Sequence, residues 1–413
     1  MYDMPQLKKH RINLHLLTPL HVGTGQDFDP FSYVIEGGRL HFIDLIKWMD
    51  AFQDKNTLNK MMESDNFAAV RSFIAKHVSA KDFSIASISI DCPNLLATYK
   101  RAIDNQDPRN QVLISPMMRN EVNMETYIPG SSIKGAIRTA LANRFVDVAR
   151  VTAQDVRRSR GNPDYNEKIF GRINQDPMKW LKIADVSLGS DATIIIEAKE
   201  YPLNPNKSTT PKGFYEVTKG LSQTQSPVVK SVALSLAPFE IHRQKIDVAF
   251  IIESLYRFYV SRYQEEYRKF YSKGSIRDML KPVNQVIDSM KTNEALIRVG
   301  HFSHVECVTL DKVRKPRTRR GKDGQPLPWG TTRTLANGHH PFGWVKIQFC
   351  DVRAQDRRPL QWVRVSESGS KSAFATTVAK GRRKIVDSSG KEHTAADLTG
   401  LKDKFKVKDK KKF

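Results

Sequence analysis

One segment, residues 127–144 (YIPGSSIKGAIRTALANR), constrains the fold of this chain more than any other. A proline and a glycine interrupt the chain there, and Ser131 or Ser132 can then accept a backbone N–H at the start of a helix. Apolar residues follow at helical spacing, namely Ile133, Ala136, Ile137, Ala140 and Leu141. They form one face that must pack against other elements. Because strand-like segments surround this helix, the segment predicts a mixed helix and sheet fold, with the helix lying on the sheet.

The same segment is close in composition to a phosphate-binding loop. Gly130 and Gly135 have the spacing of a Walker A motif, which continues with Lys and then Ser or Thr. Ala136 and Ile137 stand at those two positions, so the phosphate-binding lysine and the Mg²⁺-binding hydroxyl are both missing. A GxGxxG fingerprint is also missing from the chain. ATP or dinucleotide binding is therefore excluded here, and we expect no cofactor.

Two cations remain at the start of this helix. Lys134 and Arg138 are four residues apart, so they lie on adjacent turns beside free N–H groups and a serine hydroxyl. This arrangement suits an anion such as a nucleic-acid phosphate. A capped core helix with two solvated cations fits the same residues equally well, and the local sequence leaves both interpretations open.

Charge indicates the class of partner. The chain has 413 residues, with 67 Lys and Arg against 44 Asp and Glu, a formal net charge of +23. Such a chain binds a polyanion or an anionic membrane surface. We favour nucleic acid and no membrane, because the sequence contains no lipidation signal, no signal peptide and no apolar run of about 18 residues. Three scattered cysteines argue against disulfides and a thiolate zinc site, and they suit the reducing cytoplasm.

Local patterns predict two α+β units, both ferredoxin-like (split βαβ) sandwiches with long insertions. The first unit covers residues 1–228 and the second covers 229–350, with a basic, partly flexible extension at 351–413. Strands are expected at residues 10–17 and in a hairpin at 33–43, a helix after Asp44, and a long helix at 244–272. Residues 201–228 are expected to form a long loop or a protruding hairpin.

Several of these segments resemble the RAMP superfamily, the repeat-associated RNA-binding proteins of CRISPR systems. The run IPGSSIKGAIRTAL is similar to the signature of that family, and LLTPLHVGTG with SYVIEGGRLHFID is similar to its amino-terminal strand, glycine turn and hairpin. KIFG, IADVSL, RVGHFSHVE and HPFGWVKIQF resemble further family elements. The basic insert at 312–322 and the chain after residue 351 have no counterpart in this resemblance.

The resemblance implies RRM-like folds that hold a CRISPR guide RNA. It points to the RAMP subunit that caps the backbone filament of a type III-A effector complex at the 3′ end of the guide RNA. Such a subunit docks on a RAMP backbone subunit, meets target RNA only indirectly and is not the nuclease of the complex. Residues carried over as RNA-binding are Gly130, Ser131, Ser132, Lys134, Gly135 and Arg138, with His21, Gly23 and Gly25 at a nearby turn.

The alternative is a metal-independent endoribonuclease that matures CRISPR RNA, with His21 as its general base. A histidine packed within its loop is the more common arrangement. Asp27 and Asp29 are expected to be solvated or to cap a turn rather than to activate a metal-bound water. His301 and His304 lack a third ligand of suitable spacing, so no metal site is predicted. His339 and His340 are adjacent and near a turn, which suits RNA contact or plain exposure.

Overall fold

The computed structural model describes residues 6–106, 112–156, 165–189, 191–203, 206–314 and 330–357, and two short strands beyond them. Most of the basic insert (312–322) and of the extension (351–413) lies outside the described residues. Residues Met1–Val363 form one compact unit. The second unit, Arg364–Phe413, contains an antiparallel pair of strands, Ile385–Val386 and Glu392–His393.

The described strands of the first unit are β1 (Lys8–Leu16), β2 (Tyr33–Glu36), β3 (Arg39–Ile43), β4 (Ser84–Ile90), β5 (Ile114–Ser115), β6 (Tyr127–Ile128), β7 (Leu181–Ile183), β8 (Val186–Ser187), β9 (Thr193–Pro202), β10 (Thr210–Thr218), β11 (Val229–Leu236), β12 (Phe239–Ile241), β13 (Gln244–Ile246), β14 (Glu294–Arg298), β15 (Thr332–Ala336), β16 (His340–Pro341) and β17 (Trp344–Phe349).

Its described α-helices are α1 (Leu45–Ala51), α2 (Lys55–Met62), α3 (Phe67–His77), α4 (Ala80–Phe83), α5 (Pro93–Asn105), α6 (Gly130–Phe145), α7 (Tyr165–Phe170), α8 (Leu221–Thr224), α9 (Val248–Glu266), α10 (Gly274–Met279), α11 (Lys281–Asp288) and α12 (His304–Val308). Short 3-10 helices cover Ile173–Gln175 and Pro177–Trp180, and a π-helical turn at Tyr267–Tyr271 extends α9. None of the described helices is both long and apolar enough to cross a membrane.

Five strands form an antiparallel sheet in the order β14-β17-β1-β11-β7. Strand β1 lies at its centre, with Ile12 opposite Val232 on one side and Phe349 on the other. Alternate residues of β1 point into the main core, because the side-chain period of a strand is two residues. Ile12, Leu14 and Leu16 are buried there together with the apolar faces of α6 and α9. The predicted packing of the 127–144 helix in a mixed α/β core is therefore confirmed.

Four strands of this sheet and the two helices packed on it follow one another along the chain in the order β1-α6-β7-β11-α9-β17. Together with their spatial order, this is the split βαβ arrangement, and β14 extends it at one edge. The boundary predicted between residues 228 and 229 falls inside this sheet, because β1 pairs with both β11 and β17. Residues 229–350 therefore do not form a separate ferredoxin-like domain, and the two predicted units share one core.

A second sheet has the strand order β16-β15-β9-β4-β3-β2, with β10 on the other side of β9 and β5 beside β10. Strands β9 and β10 form a long hairpin, so the hairpin alternative for residues 201–228 holds for its first part, up to Thr218. Helices α1 to α4 lie between β3 and β4 in the sequence. As predicted, Asp44 caps α1: its carboxylate accepts the N–H of Lys47 at 3.0 Å.

A buried charge network connects the two sheets. Glu266, at the end of α9, pairs with Arg298 of β14 and, at 3.2 Å, with Arg333 of β15. Arg333 also contacts Glu306 of α12 at 3.3 Å. All four side chains are nearly inaccessible. Burial alone would raise the pKa of Glu266, but Arg298 and Arg333 outweigh it and hold that pKa below its usual value. The network fixes the start of the loop that follows β14.

Candidate nucleic-acid interface

Helix α6 starts with a hydrogen bond to a carboxylate from another segment. The N–H of Gly130 donates to Oδ1 of Asp185 at 2.8 Å, and Pro129 is the N-cap residue without a side-chain cap. The prediction that Ser131 or Ser132 caps this helix is therefore wrong. Asp185 occupies the position where the positive end of the helix dipole attracts an anion. A phosphate would have to displace this carboxylate to reach the Gly130 N–H.

The two glycines of α6 have different surroundings. A Cβ at Gly130 would lie 2.1 Å from the carbonyl oxygen of Ile183 and 2.8 Å from that of Ala184. Nothing lies within 4 Å of the same position at Gly135, which is exposed. Gly130 therefore lets the helix pack directly on the backbone between β7 and β8. Gly135, like the exposed Ser131, leaves the outer surface of the first turns open.

Arg138 is held by the protein itself. Its Nη1 pairs with Asp176 at 2.6 Å, its Nε donates to Asn166 at 3.2 Å, and its guanidinium lies 3.9 Å from the ring centre of Phe170. These contacts join α6 to α7, at whose end the KIFG motif lies, and to Asp176 in the segment that follows. Contacts within the protein thus occupy much of the charge and hydrogen-bonding capacity of Arg138. RNA would have to compete with these contacts for the predicted interaction with Arg138.

Lys134 differs from Arg138, one turn further along. Within the described part of the chain its ammonium makes no hydrogen bond or ion pair. Burial lowers its pKa, Asp176 opposes that effect, and the cations of Arg138 and Lys182 add to it. Lys182, on strand β7, is exposed and likewise unpaired within the described residues. Lys134 and Lys182 therefore form a small cationic surface, the α6–β7 surface, that can accept a phosphate.

A ribbon of backbone hydrogen bonds connects this surface to the glycine turn near residue 23. The N–H of Met118 donates to the carbonyl of Val22 at 2.8 Å, and the N–H of Tyr127 donates to the carbonyl of Met118 at 3.0 Å. Tyr127 then pairs with Ser187 in the β6–β8 ladder. Since neighbouring strands lie about 4.8 Å apart, Val22 and Tyr127 are separated by roughly 10 Å. The structure thus brings the two groups of predicted RNA-binding residues onto adjoining parts of the molecule.

A polar cavity of about 390 Å³ lies beside this ribbon and the start of α6. Its lining residues are Arg119, Asn120, Glu125, Thr126, Tyr127, Asp185 and Ser187. Arg119 is fixed by an ion pair with Glu216, a fully buried carboxylate that also accepts the N–H of Met117 at 2.9 Å. Because Asp185 and Glu125 contribute acceptors, the cavity suits hydroxyl or amino groups better than a phosphate.

His21 lies below the glycine turn and is only 4% exposed. Its Nδ1 lies 2.7 Å from the backbone carbonyl of Glu216, which can only accept, so the neutral ring carries its lone pair on Nε2. Burial lowers the pKa of His21 to about 4. A general base works best with a pKa near the operating pH, so His21 is poorly matched to that task.

Local packing and backbone conformation explain why positions 23 and 25 of the turn are glycines. A Cβ at Gly23 would lie 2.5 Å from Nε2 of His21, and Gly25 has a φ of +86°, which favours glycine. Gly23 also forms an isolated antiparallel bridge with Met117. The turn thus packs on the His21 ring and on the ribbon, and its contact with RNA stays a prediction.

Three aromatic side chains that are distant in sequence meet at this turn. The ring of His21 lies 5.1 Å from that of Tyr215 and 6.1 Å from that of His301, and the last two are 5.9 Å apart. The N–H of His301 donates to the carbonyl of His21 at 2.7 Å. The local sequence could not reveal this group, because its members come from the segment after β1, from β10 and from the loop after β14. The sequence singled out His21 and the RVGHFSHVE segment separately, with a glycine before His301, but gave no sign that they meet.

Asp27 and Asp29 form hydrogen bonds within the protein. Asp27 accepts the hydroxyl of Ser115 at 2.8 Å, and Asp29 accepts the N–H of Phe31 at 3.0 Å, the expected turn-capping role. His304 is half-buried and its φ is +57°.

The adjacent histidines His339 and His340 have different surroundings. His339 is exposed, and Nδ1 of buried His340 lies 3.1 Å from Oγ of Ser222. Among the described residues, no cluster of three His, Cys, Asp or Glu side chains has the arrangement of a metal site.

The part of the chain that contains most of this core matches a known protein family. Residues 13–303 match the family model of the RAMP superfamily. Because this match spans well over half of the chain, the chain belongs to the RAMP superfamily.

Two curated relatives narrow the comparison. The CRISPR system Cms protein Csm5 of Methanocaldococcus jannaschii is 28% identical over 220 residues, which cover 51% of this chain and 50% of the relative. The protein of the same name from Streptococcus thermophilus is 26% identical over 144 residues, covering 32% and 38%. The chain thus spans half or less of the length of the curated relatives it matches.

Two solved structures share the fold. A chain of a Csm–crRNA–target RNA ternary complex in a type III-A CRISPR-Cas system matches with a TM-score of 0.54, covering 83% of this chain and 100% of that chain. The crystal structure of Csm5 from T. onnurineus matches with a TM-score of 0.51, covering 81% and 99%. Both are 19% identical to this chain, so they establish similarity of fold and nothing further.

Proposed function

We propose that this chain is the guide-RNA-binding subunit that caps the backbone filament of a type III-A (Csm) CRISPR effector complex at the 3′ end of the guide. The observation that carries the proposal is the α6–β7 surface, where Lys134 of the signature helix and Lys182 of β7 are unpaired within the described residues. The Csm5 proteins among its relatives support this particular subunit. The net charge of +23 supports a polyanionic partner.

In this proposal the five-stranded sheet with α6 and α9 is the RRM-like core. The α6–β7 surface and the glycine turn contact the guide backbone, and base pairing between guide and target RNA supplies sequence specificity. The protein then needs only cations and hydrogen-bond donors for the backbone. A RAMP backbone subunit is the protein partner, target RNA is met indirectly, and the complex acts in the cytoplasm in antiviral defence.

We propose that the subunit is not itself a nuclease. The endoribonuclease alternative needs His21 as a general base, and the burial and lowered pKa of His21 weigh against it. Incubating the purified chain with repeat RNA and a chelator tests this part. Metal-independent cutting that His21→Ala abolishes would contradict the non-catalytic proposal.

The test of the main proposal is co-purification with RNA sequencing. The tagged full chain is expressed with its neighbouring CRISPR genes, and the bound RNA and proteins are identified. We expect a guide RNA and a backbone subunit to co-purify with the chain. Recovery of neither partner would overturn the proposal.

A charge-matched pair of variants assigns the contact surface. Lys134→Ala with Lys182→Ala removes the α6–β7 cations, whereas Lys60→Ala with Lys76→Ala removes two exposed lysines of α2 and α3. We expect the first pair to weaken RNA binding and to flatten its salt dependence by roughly 0.7 of slope per lost phosphate contact. The second pair controls for net charge. Equal effects would mean that RNA does not use this surface.

A further inference from the structure

The loop after β14 has an unusual backbone. Gly300 has a φ of +87°, Phe302 has a φ of +61° and His304 has a φ of +57°. A bulky residue such as Phe302 rarely occupies the left-handed region, and the surrounding structure must offset the cost. Such strain tends to occur at binding sites.

Several contacts hold this loop in place. A Cβ at Gly300 would lie 2.3 Å from the carbonyl of His21, and the N–H of His301 donates to that same carbonyl at 2.7 Å. The hydroxyl of Ser303 donates to the carbonyl of Gly300 at 2.7 Å. At the base of the loop, Arg298 belongs to the buried charge network. The loop is therefore anchored from both sides, and the strained backbone fixes where its rings lie.

The fixed rings form a layered aromatic shelf, defined here as His21, Tyr215, His301 and Phe302. The ring of Phe302 lies 4.2 Å from that of His301 and 5.1 Å from that of Tyr215. His21 is at the buried base, Tyr215 and Phe302 are partly buried, and His301 is exposed. Within the described residues the imidazole of His301 makes no hydrogen bond. An aromatic ring supported from below and open on its outer side is a stacking surface.

We propose that the aromatic shelf binds an unpaired RNA base, which stacks on His301. Unpaired bases stack on Phe, Tyr, Trp and His side chains in proteins that bind single strands. The shelf adjoins the glycine turn, and the ribbon places Val22 roughly 10 Å from Tyr127, three residues before α6. One RNA strand can therefore reach both sites. The inference rests on the proposed function, and it adds a base contact to a surface otherwise assigned to phosphates.

The test measures binding of a fluorescein-labelled, unstructured 20-nucleotide RNA to the full chain by anisotropy, across a range of salt concentrations. We expect His301→Ala to weaken binding about 5-fold or more at every salt concentration without changing the salt slope. His301→Phe should retain the affinity, and His301→Gln should behave like His301→Ala. His339→Ala, which removes another exposed histidine, should bind like the wild type.

A direct readout uses the same RNA with 4-thiouridine substitutions and irradiation. Cross-links should map to the tryptic peptide of residues 299–312, which contains His301. The inference is wrong if His301→Ala binds like the wild type, or if His301→Phe loses as much affinity as His301→Ala. It is also wrong if His301→Ala impairs only the binding of the backbone subunit, since the shelf would then be a protein contact. If the wild-type chain binds no RNA, the proposed function fails as well.

Discussion

Gly130→Ala gives the sharpest test of how α6 is seated in this fold. The added Cβ would lie 2.1 Å from the carbonyl oxygen of Ile183, 2.7 Å from its carbon and 2.8 Å from the carbonyl oxygen of Ala184. All three are backbone atoms, so no side chain can rotate away, and the helix must move outward by roughly 1 Å to regain ordinary contact. That movement also strains the Gly130 N–H bond to Asp185. Overpacking costs about 1–3 kcal/mol and a weakened hydrogen bond to a charged group about 1 kcal/mol more.

We therefore expect Gly130→Ala to lower the free energy of unfolding by about 3 kcal/mol. Gly135→Ala is the matched control, because the same substitution on the same helix meets nothing within 4 Å. Alanine is a better helix former than glycine, so that variant should be stabilised by about 0.5–1 kcal/mol. The two substitutions thus have opposite expected signs.

Urea denaturation followed by tryptophan fluorescence compares the two variants with the wild type. Thermal unfolding should show the Gly130→Ala midpoint lowered by roughly 4 °C. An unfolding midpoint for Gly130→Ala at or above that of Gly135→Ala would refute the seating of α6 against β7 and β8. RNA binding measured below the unfolding transition then shows whether Gly135, exposed on the helix, contributes to the RNA contact as predicted.

Three further predictions concern charged groups. Arg138→Ala should destabilise the chain by about 1–2 kcal/mol through loss of its ion pair and ring contact, whereas Lys134→Ala should leave the melting temperature unchanged and lower the salt slope of RNA binding. Glu266→Gln should cost about 3–5 kcal/mol, because it leaves buried Arg298 without its carboxylate partner and leaves Arg333 with Glu306 alone. Thermal unfolding measures this loss, and a change below about 1 kcal/mol would contradict the network's role. For His21, the folded pKa of about 4 lies below the unfolded value of 6.5, so the unfolded chain binds the proton first as the pH falls. Stability should fall between pH 6.5 and 4 by up to about 3 kcal/mol, and less steeply in His21→Gln, as followed by the melting temperature against pH.

The elements set by local patterns were predictable. Alternation of apolar residues located β1, the glycines of residues 33–43 located the β2–β3 hairpin, and Asp44 marked the start of α1. The long helix predicted at 244–272 is α9 with its π-helical extension, although its first residues belong to β13. Each of these depends on neighbours within a few residues, which is the range over which a sequence pattern acts.

The arrangement of these elements was not predictable from such patterns. Strand β1 pairs with β17, more than 300 residues away, and this closure merges the two expected domains into one core. The same limitation affected the site. Asp185, which takes the place of a serine cap, lies 55 residues from Gly130. The partners of Arg138 are 28 and 38 residues away. Nothing in the local sequence distinguishes a solvated arginine from one held by such partners.

The two cations of the signature helix therefore separate into different tasks. A planar guanidinium can pair with Asp176, bond to Asn166 and lie over Phe170 at once, which an ammonium cannot do. A lysine keeps its charge at the end of a flexible stem, where it can follow a phosphate. Exchange of the two residues tests this division. Arg138→Lys should lose most of the stability that Arg138→Ala loses, because the Asn166 and ring contacts are gone. Lys134→Arg should keep both the stability and the salt slope of RNA binding. If Arg138→Lys were as stable as the wild type while its RNA affinity fell, the arginine would serve RNA and not the fold.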